Sequence, residues 1–357
     1  MTRPHLLHSL LILALGFAGG HGAALLGLPM PFLLGSLLTV TAFSLLARRR
    51  VPAGYAFPQP VRLAFMVVIG VMIGAQVTPA LFAQGIPMLA AFAALTLFVP
   101  LALFGNAWLF RRAGYDPATA FFCSAPGGLM ESIAMAEDHK ADMATVITQQ
   151  FLRIVVVIVA LPIGLSIWLG HPVGSAAGFT LVRQVAIDWP MAGLALLAGA
   201  AGSWIGHKIR LPAAVLTGPL LAAALVSLTG LFPINLPQWL VNDAQVVVGA
   251  ALGTRFTGMA GGRLVRAVGL AAVSVAGMMV FGAVLALGLM PLTGLGFDVL
   301  FVGLAPGGVS EMALIALSLA ANPAFVTAMH VYRIILTVGV LIFAVKRGVL
   351  PPVDDTE

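Results

Sequence analysis

The chain is a succession of apolar runs, each about 20 residues long, that are separated by short polar stretches. A helix needs about 20 mostly apolar residues to cross a bilayer, because its backbone groups find no water to pair with there. Charged residues make up only 8% of the 357 residues, against roughly 25% in soluble domains. So little charge would not keep the chain in solution. The sequence therefore predicts an all-α polytopic membrane protein.

The apolar runs form two sets of six. The first set lies at about 6–25, 29–47, 61–80, 86–110, 117–137 and 144–170, and the second at about 189–206, 212–231, 239–256, 265–290, 297–320 and 324–345. The first run follows Arg3 and has features of a secretory signal peptide. We interpret it as a retained first span, because it has a counterpart in the second set.

The two sets are copies of one unit of about 180 residues. Three blocks of the first half return in the same order in the second half: LPMPFLLGSLL at 28–38 as LPAAVLTGPLL at 211–221, VVIGVMIGAQVT at 67–78 as VVVGAALGTRFT at 246–257, and FFCSAPGGLMES at 121–132 as FVGLAPGGVSEM at 301–312. We divide the chain into repeat one (1–180), repeat two (181–348) and a polar C-terminal tail (349–357). Duplicated membrane proteins of this kind are mostly transporters or channels.

The basic residues indicate how the repeats are oriented. Arg48–Arg50 follow the second run of repeat one, whereas His207–Arg210 precede the corresponding run of repeat two, and this reversal favours inverted repeats. If 117–137 and 297–320 do not cross completely, each repeat has five spans. Both termini and nearly all basic clusters then face the cytoplasm. If all twelve runs cross, the repeats are parallel. We favour about ten spans plus two broken or re-entrant segments, in a bacterial-type inner membrane.

Those two suspect segments both contain Ala-Pro-Gly-Gly near their centre. Proline lacks an N–H group and clashes with the preceding turn, and the glycine pair adds freedom, so each helix is expected to break. A second half-helix would begin near Leu129 and near Val309, and its N-terminus carries a positive dipole end. Two such ends predict an anion or carboxylate site near the midplane. The alternative is two kinked, packed helices. The break residues assigned to the site are Pro126, Gly127, Gly128, Pro306, Gly307 and Gly308.

Charged residues follow both breaks at the same spacing. Glu131 and Glu311 lie three residues after their glycine pairs, and Arg153 and Arg333 lie 22 residues further on. Charges inside a membrane are costly and usually functional or paired. Our functional hypothesis is that the arginines attract an anionic substrate, while a glutamate binds a proton or cation. The alternatives are two structural ion pairs, or glutamates that cap their own helices. Secondary candidates are Gln150 and His330.

Other site chemistries find no pattern in the sequence. The seven histidines lack metal-ligand spacing, and the one cysteine, Cys123, excludes a disulfide framework. There is no GxSxG, P-loop or dinucleotide fingerprint. We therefore expect no metal, no cofactor and no enzymatic activity. The net charge of +6 is interpreted as an orientation signal rather than as a surface for nucleic acid.

Over nearly its whole length the sequence resembles the AbrB-duplication membrane family. The motifs that carry the resemblance are APGGLMES at 125–132, TQQFLRIVVV at 148–157 and APGGVSEMAL at 305–314. Members are labelled "AbrB family transcriptional regulator" or "putative ammonia monooxygenase", and the first label implies regulation of gene expression. The resemblance supplies no catalytic residues to carry over.

The residues favour a secondary transporter of a small anion or carboxylate, coupled to protons or Na⁺ and embedded in the lipid bilayer. Its site would lie between the two helix breaks. The alternative is a membrane sensor or regulator that acts indirectly on gene expression. A membrane enzyme is the least favoured interpretation. The sequence is also compatible with a homo-oligomer.

Overall fold

A computed structural model of the protein describes residues 3–47, 50–52, 54–77, 79, 85–173, 188–211, 213–256, 262–319 and 322–349. Within these residues the fold contains 14 α-helices and no strands, which confirms the all-α prediction. The helices are α1 (Arg3–Leu25), α2 (Pro31–Leu46), α3 (Gln59–Ala75), α4 (Gly85–Arg112), α5 (Pro117–Cys123), α6 (Leu129–Asp138), α7 (Met143–Leu169), α8 (Trp189–Lys208), α9 (Ala214–Thr229), α10 (Gln238–Gly253), α11 (Gly262–Thr293), α12 (Phe297–Leu304), α13 (Val309–Ser318) and α14 (Pro323–Lys346).

Helix lengths separate the predicted spans from the predicted broken segments. Among the described residues, five helical segments are long and apolar enough to cross a membrane: Pro4–Leu25, Met88–Arg112, Met143–Leu169, Leu264–Thr293 and Pro323–Lys346. The helices α2, α3 and α9 are apolar but shorter. The four shortest of the described α-helices form two consecutive pairs, α5 with α6 and α12 with α13. The fold is therefore that of a polytopic helical membrane protein, and the number of spans stays a prediction.

The helices group into two compact units that do not follow the two sequence halves. Unit 1 comprises Met1–Ala83, Val159–Ala260 and Ala313–Ala324, and unit 2 comprises Gln84–Ile158, Gly261–Met312 and Phe325–Glu357. Each unit thus takes corresponding helices from both halves of the chain. The repeat boundaries that we drew at 180 and 348 stay a prediction.

In unit 1 the helices pack in two matching sets. The helix α2 contacts α1 and α10, and its counterpart α9 contacts α8 and α3. Glycines bring the backbones together at these crossings. A Cβ atom on Gly249 would lie 2.5 Å from the carbonyl oxygen of Leu33, and one on Gly70 would lie 2.7 Å from that of Leu216. Small residues at helix crossings permit this close approach in membrane proteins.

In unit 2 the short helix α5 lies in an apolar core. Asp116 caps its first turn, because the side-chain Oδ1 accepts a hydrogen bond of 2.9 Å from the Thr119 N–H. Phe122 is fully buried in a cluster that includes Leu103 of α4, Val146 of α7 and Leu341 of α14. These contacts place the end of α5, where the first break begins, inside the unit.

Close packing in unit 1 predicts that Gly19→Ala destabilises the protein. The added Cβ would lie 2.5 Å from the carbonyl oxygen of Gly35, and overpacking of this kind costs about 1–3 kcal/mol. Gly22→Ala on the same helix is the control, because its Cβ would meet no atom within 4 Å. Thermal unfolding of the purified variants in detergent measures the difference. Equal midpoints for both variants would contradict the α1–α2 crossing and the retention of α1.

Candidate functional site

The first helix break lies between α5 and α6, where the sequence predicts it. The helix α5 ends at Cys123, and α6 begins only at Leu129. Gly128, the residue before α6, has a left-handed backbone with φ 62° and ψ 56°, a conformation that glycine adopts without steric cost. As a glycine, Gly128 has no side chain with which to cap this helix start. The Ala-Pro-Gly-Gly segment therefore interrupts the helix, as expected.

The second break repeats the first one 180 residues later. The helix α12 ends at Leu304, and Ala305 is extended, with φ −63° and ψ 140°. The next helix, α13, begins at Val309. Pro306, Gly307 and Gly308 thus lie outside both helices. A break in both copies frees two sets of backbone carbonyl groups that need partners at membrane depth.

In repeat one these carbonyl groups are bound by side chains of α7. Gln150 Nε2 donates to the carbonyl oxygen of Phe122 at 2.6 Å and to that of Ala125 at 3.3 Å. Arg153, one turn further along, donates from Nη1 to the same Ala125 oxygen. Gln150 is fully buried and Arg153 is 5% exposed. Both side chains therefore lie against the break.

In repeat two α14 supplies the equivalent donors. His330 Nε2 lies 3.0 Å from the carbonyl oxygen of Val302 and must donate, because a carbonyl group only accepts. Arg333 donates to the carbonyl oxygens of Ala305 and Gly307 and is 1% exposed. His330 and Arg333 correspond to Gln150 and Arg153 at an offset of 180 residues. Glutamine in one copy and histidine in the other thus bind a backbone carbonyl group at equivalent positions.

The glutamates lie at the starts of their own half-helices. A Cβ on Gly308 would meet the carboxylate of Glu311, and one on Gly128 would lie 3.4 Å from Oε2 of Glu131. Glu311 is 5% exposed, whereas Glu131 is exposed. Among the described residues neither glutamate forms an ion pair with Arg153 or Arg333. This geometry favours the capping alternative over the ion pairs, since a carboxylate stabilises a helix N-terminus.

The two arginines leave positive charge inside unit 2. Their hydrogen-bond partners are backbone carbonyl oxygens. Arg153 binds Ala125 and Arg333 lies against Gly127, two residues further on, so both guanidinium groups lie at the first break. The Nε atom of each arginine is buried and has no acceptor among the residues that the structure describes. A buried cation without an anionic partner is costly. Such a pair indicates a place where an anion is favourable.

Further buried polar atoms near the breaks also lack partners. In the described part of unit 2, every buried side-chain oxygen or nitrogen without a hydrogen bond lies on α6, α7 or α14: on Ser132, Gln149, Gln150, Arg153, His330, Arg333 and Thr337. Buried polar groups in proteins are nearly always paired, with protein, water or ligand. The concentration of these atoms therefore marks the surroundings of the breaks as a candidate binding site.

Arg333 touches both breaks. Its Nη atoms bind carbonyl groups of the second break. A Cβ on Gly127, in the first break, would lie 3.2 Å from Arg333 Nε and 3.2 Å from Thr337 Oγ1. The structure thus brings Gly127, Gly307 and Arg333 together. The sequence analysis did not predict Thr337. Its position four residues after Arg333 places both side chains on one face of the helix, and this spacing could have indicated it.

Comparison with known proteins places this arrangement in a family. The family model described as "Transition state regulatory protein AbrB" matches residues 32–347. The chain belongs to the AbrB family. It is 29% identical over 328 residues to "Putative regulator AbrB" of Escherichia coli (strain K12), which covers 91% of this chain and 90% of that protein. It is 24% identical over 360 residues to "Uncharacterized protein YhjN" of Bacillus subtilis (strain 168), with 94% and 92% covered.

The shared role of Gln150 and His330 predicts that His330→Gln is tolerated and His330→Leu is not. Glutamine keeps an N–H donor for the Val302 carbonyl oxygen, as Gln150 does in repeat one. Leucine removes the side-chain donor and leaves the Val302 carbonyl oxygen with only the N–H of Ala305, a loss of about 1 kcal/mol. Thermal unfolding in detergent compares the two variants with the unmodified protein. Equal losses of stability in both would contradict a capping role for His330.

Proposed function

We propose that this AbrB-family membrane protein is a secondary transporter of a small anion or carboxylate, coupled to protons or Na⁺. The observation that carries the proposal is the pair of buried arginines, each at a helix break and neither paired with a carboxylate in the described residues. An anionic substrate between the breaks would supply the missing negative charge. Arg153 and Arg333 would then bind the substrate while they keep the broken backbone in place.

The helix breaks support transport in a second way. Discontinuous helices in repeated membrane proteins typically form substrate and ion sites near the bilayer midplane. In this protein α6 and α13 both start directly after a break, with their N–H groups directed back towards it. The N-terminal ends of both half-helices favour negative charge. The donors at the breaks are therefore suited to an oxyanion.

Glu311 is our candidate for the coupling residue. Its carboxylate is buried in the first turn of α13, whereas the equivalent Glu131 is exposed. A proton or Na⁺ bound at this carboxylate would offset the charge of a neighbouring substrate anion. Substrate and cation would then bind together, which is the basis of symport.

The name of the Escherichia coli relative favours a second candidate, a membrane regulator. Import of a signal or metabolite would affect gene expression indirectly and is compatible with the transport proposal. A sensor that does not transport is the competing version. In both versions the protein is a multi-pass component of the inner membrane with cytoplasmic termini, acts without enzymatic activity or a cofactor, and does not bind nucleic acid.

The transport proposal predicts that Arg333→Gln and Arg153→Gln abolish uptake by folded protein. Purified variants in proteoliposomes are assayed with a panel of labelled small mono-, di- and tricarboxylates, under an imposed pH or Na⁺ gradient. We expect at least one substrate to accumulate with the unmodified protein and about a tenfold or greater loss in each variant, since each removes a charge-assisted bond. Arg111→Gln, at an exposed arginine, is the control and should retain uptake.

Size-exclusion profiles and unfolding midpoints decide between mechanism and structure. Folded variants without uptake support the proposal. Variants that do not fold indicate a structural role for the arginines, and the charge-retaining Arg333→Lys and Arg153→Lys then replace them in the assay. Absence of uptake of every carboxylate by the folded, unmodified protein would favour the sensor.

Coupling through Glu311 predicts that Glu311→Gln retains exchange but loses gradient-driven accumulation. Glutamine still caps a helix start, but it cannot take up a proton and carries no charge for Na⁺. The measurements are counterflow of labelled against unlabelled substrate, and accumulation under an imposed gradient. Glu137→Gln, on the exposed face of α6, is the control. Full accumulation by Glu311→Gln would contradict this assignment.

A further inference from the structure

A pocket of about 430 Å³ lies in unit 1, far along the chain from the helix breaks. Its wall is formed by the segment before α3, the start of α3, the end of α10 and the 3₁₀ turn Thr254–Phe256 that follows. The polar and basic side chains that line it are those of Tyr55, Gln59, Arg62, Thr254 and Arg255. It shares no residue with the site at the breaks, so it needs an explanation of its own.

The charged side chains that line this pocket, among the described residues, are both positive. Arg62 and Arg255 come from segments 193 residues apart and line the same cavity. None of the described residues that line it is acidic. The start of α3 also belongs to the wall, and the ring of its N-cap residue, Pro58, forms no hydrogen bond to the first turn. Guanidinium groups and an uncapped helix start both favour an anion.

Tyr55 gives the pocket a fixed polar edge. Its hydroxyl group shares a 3.0 Å hydrogen bond with Ser9 Oγ of α1, and its ring lies edge-on to His8 with the centroids 4.5 Å apart. Burial raises the pKa of Tyr55, so the phenol stays protonated at neutral pH and does not repel an anion. The wall is therefore held in place by contacts outside the pocket.

Neither arginine has a counterpart in the other repeat: Arg62 belongs to repeat one and Arg255 to repeat two. At the 179-residue offset of the second block pair, Arg62 corresponds to Val241, and Arg255 corresponds to Gln76. At the breaks, by contrast, both copies keep the arginine and the glutamate. A feature that repeats in both copies suits a substrate path, whereas a feature of one copy suits a site with a separate role.

We propose that this pocket binds a phosphate group, carried either by a lipid headgroup or by a soluble compound. Two guanidinium groups offer the paired N–H donors that match phosphate oxygens. The volume is at the small end of the range for ligand pockets and fits a phosphate-bearing group rather than a large ligand. Because the pocket lies outside the transport site proposed above, the bound phosphate would act as an effector or as a lipid anchor.

The test uses the full-length protein and two probes. Inorganic pyrophosphate is titrated against the protein in detergent, with sodium chloride at matched ionic strength as the blank, and the thermal midpoint is followed. Phosphatidylglycerol is offered in nanodiscs, against phosphatidylcholine alone, and retained lipid is counted by native mass spectrometry. The Arg62→Gln/Arg255→Gln double variant is compared with Arg111→Gln, which removes an exposed arginine elsewhere.

We expect one of the probes to bind saturably to the unmodified protein and to Arg111→Gln, and about tenfold more weakly or worse to the double variant. Pyrophosphate binding identifies a soluble ligand, and selective phosphatidylglycerol retention identifies a lipid. Should the double variant not fold, Ala56→Trp fills the pocket while both arginines remain, and it should abolish binding equally. Binding of neither probe, or unchanged binding by the double or filled variant, would overturn the proposal.

Discussion

The pairing of backbone carbonyl groups at two helix breaks is the interaction on which the rest of unit 2 depends. In the bilayer core an unpaired backbone N–H or C=O group has no water molecule with which to form a hydrogen bond. The sequence Ala-Pro-Gly-Gly creates such groups twice, and the helices α7 and α14 provide the donors that bind them. Without Gln150 and Arg153, or His330 and Arg333, the broken segments would expose polar backbone to an apolar surrounding. The same side chains hold the break segments that precede α6 and α13.

The use of arginine as the donor has a consequence for function. A neutral donor would satisfy a carbonyl group without adding charge, as Gln150 and His330 do. Arginine brings a positive charge that neither Glu131 nor Glu311 neutralises by an ion pair in the described residues. The fold thus maintains two buried cations at the first break. Burial of two cations without anionic partners destabilises the folded protein, and a role in binding an anionic substrate would explain why both are present.

Differences between the two copies are as informative as their likeness. Both copies keep the break, the glutamate and the arginine, but Gln150 is replaced by His330 and only Glu311 is buried. Duplicated halves that face the same substrate can divide the tasks of substrate binding and ion coupling. The pocket with Arg62 and Arg255 has no charged counterpart, which is why we assign it a role apart from transport.

The sequence by itself determined the membrane class, the helical fold, the two breaks and the spacing of Glu131, Arg153, Glu311 and Arg333. These follow from local properties, because hydrophobicity, proline and glycine act within one helix turn or one span. Only the tertiary structure decided which atoms the arginines bind. Spacing is equally consistent with an ion pair and with a carbonyl partner, and the choice depends on how α7 and α14 pack against segments far away in sequence. The burial of Glu311 and the placement of Arg62 and Arg255 around one pocket could not be predicted from the sequence for the same reason.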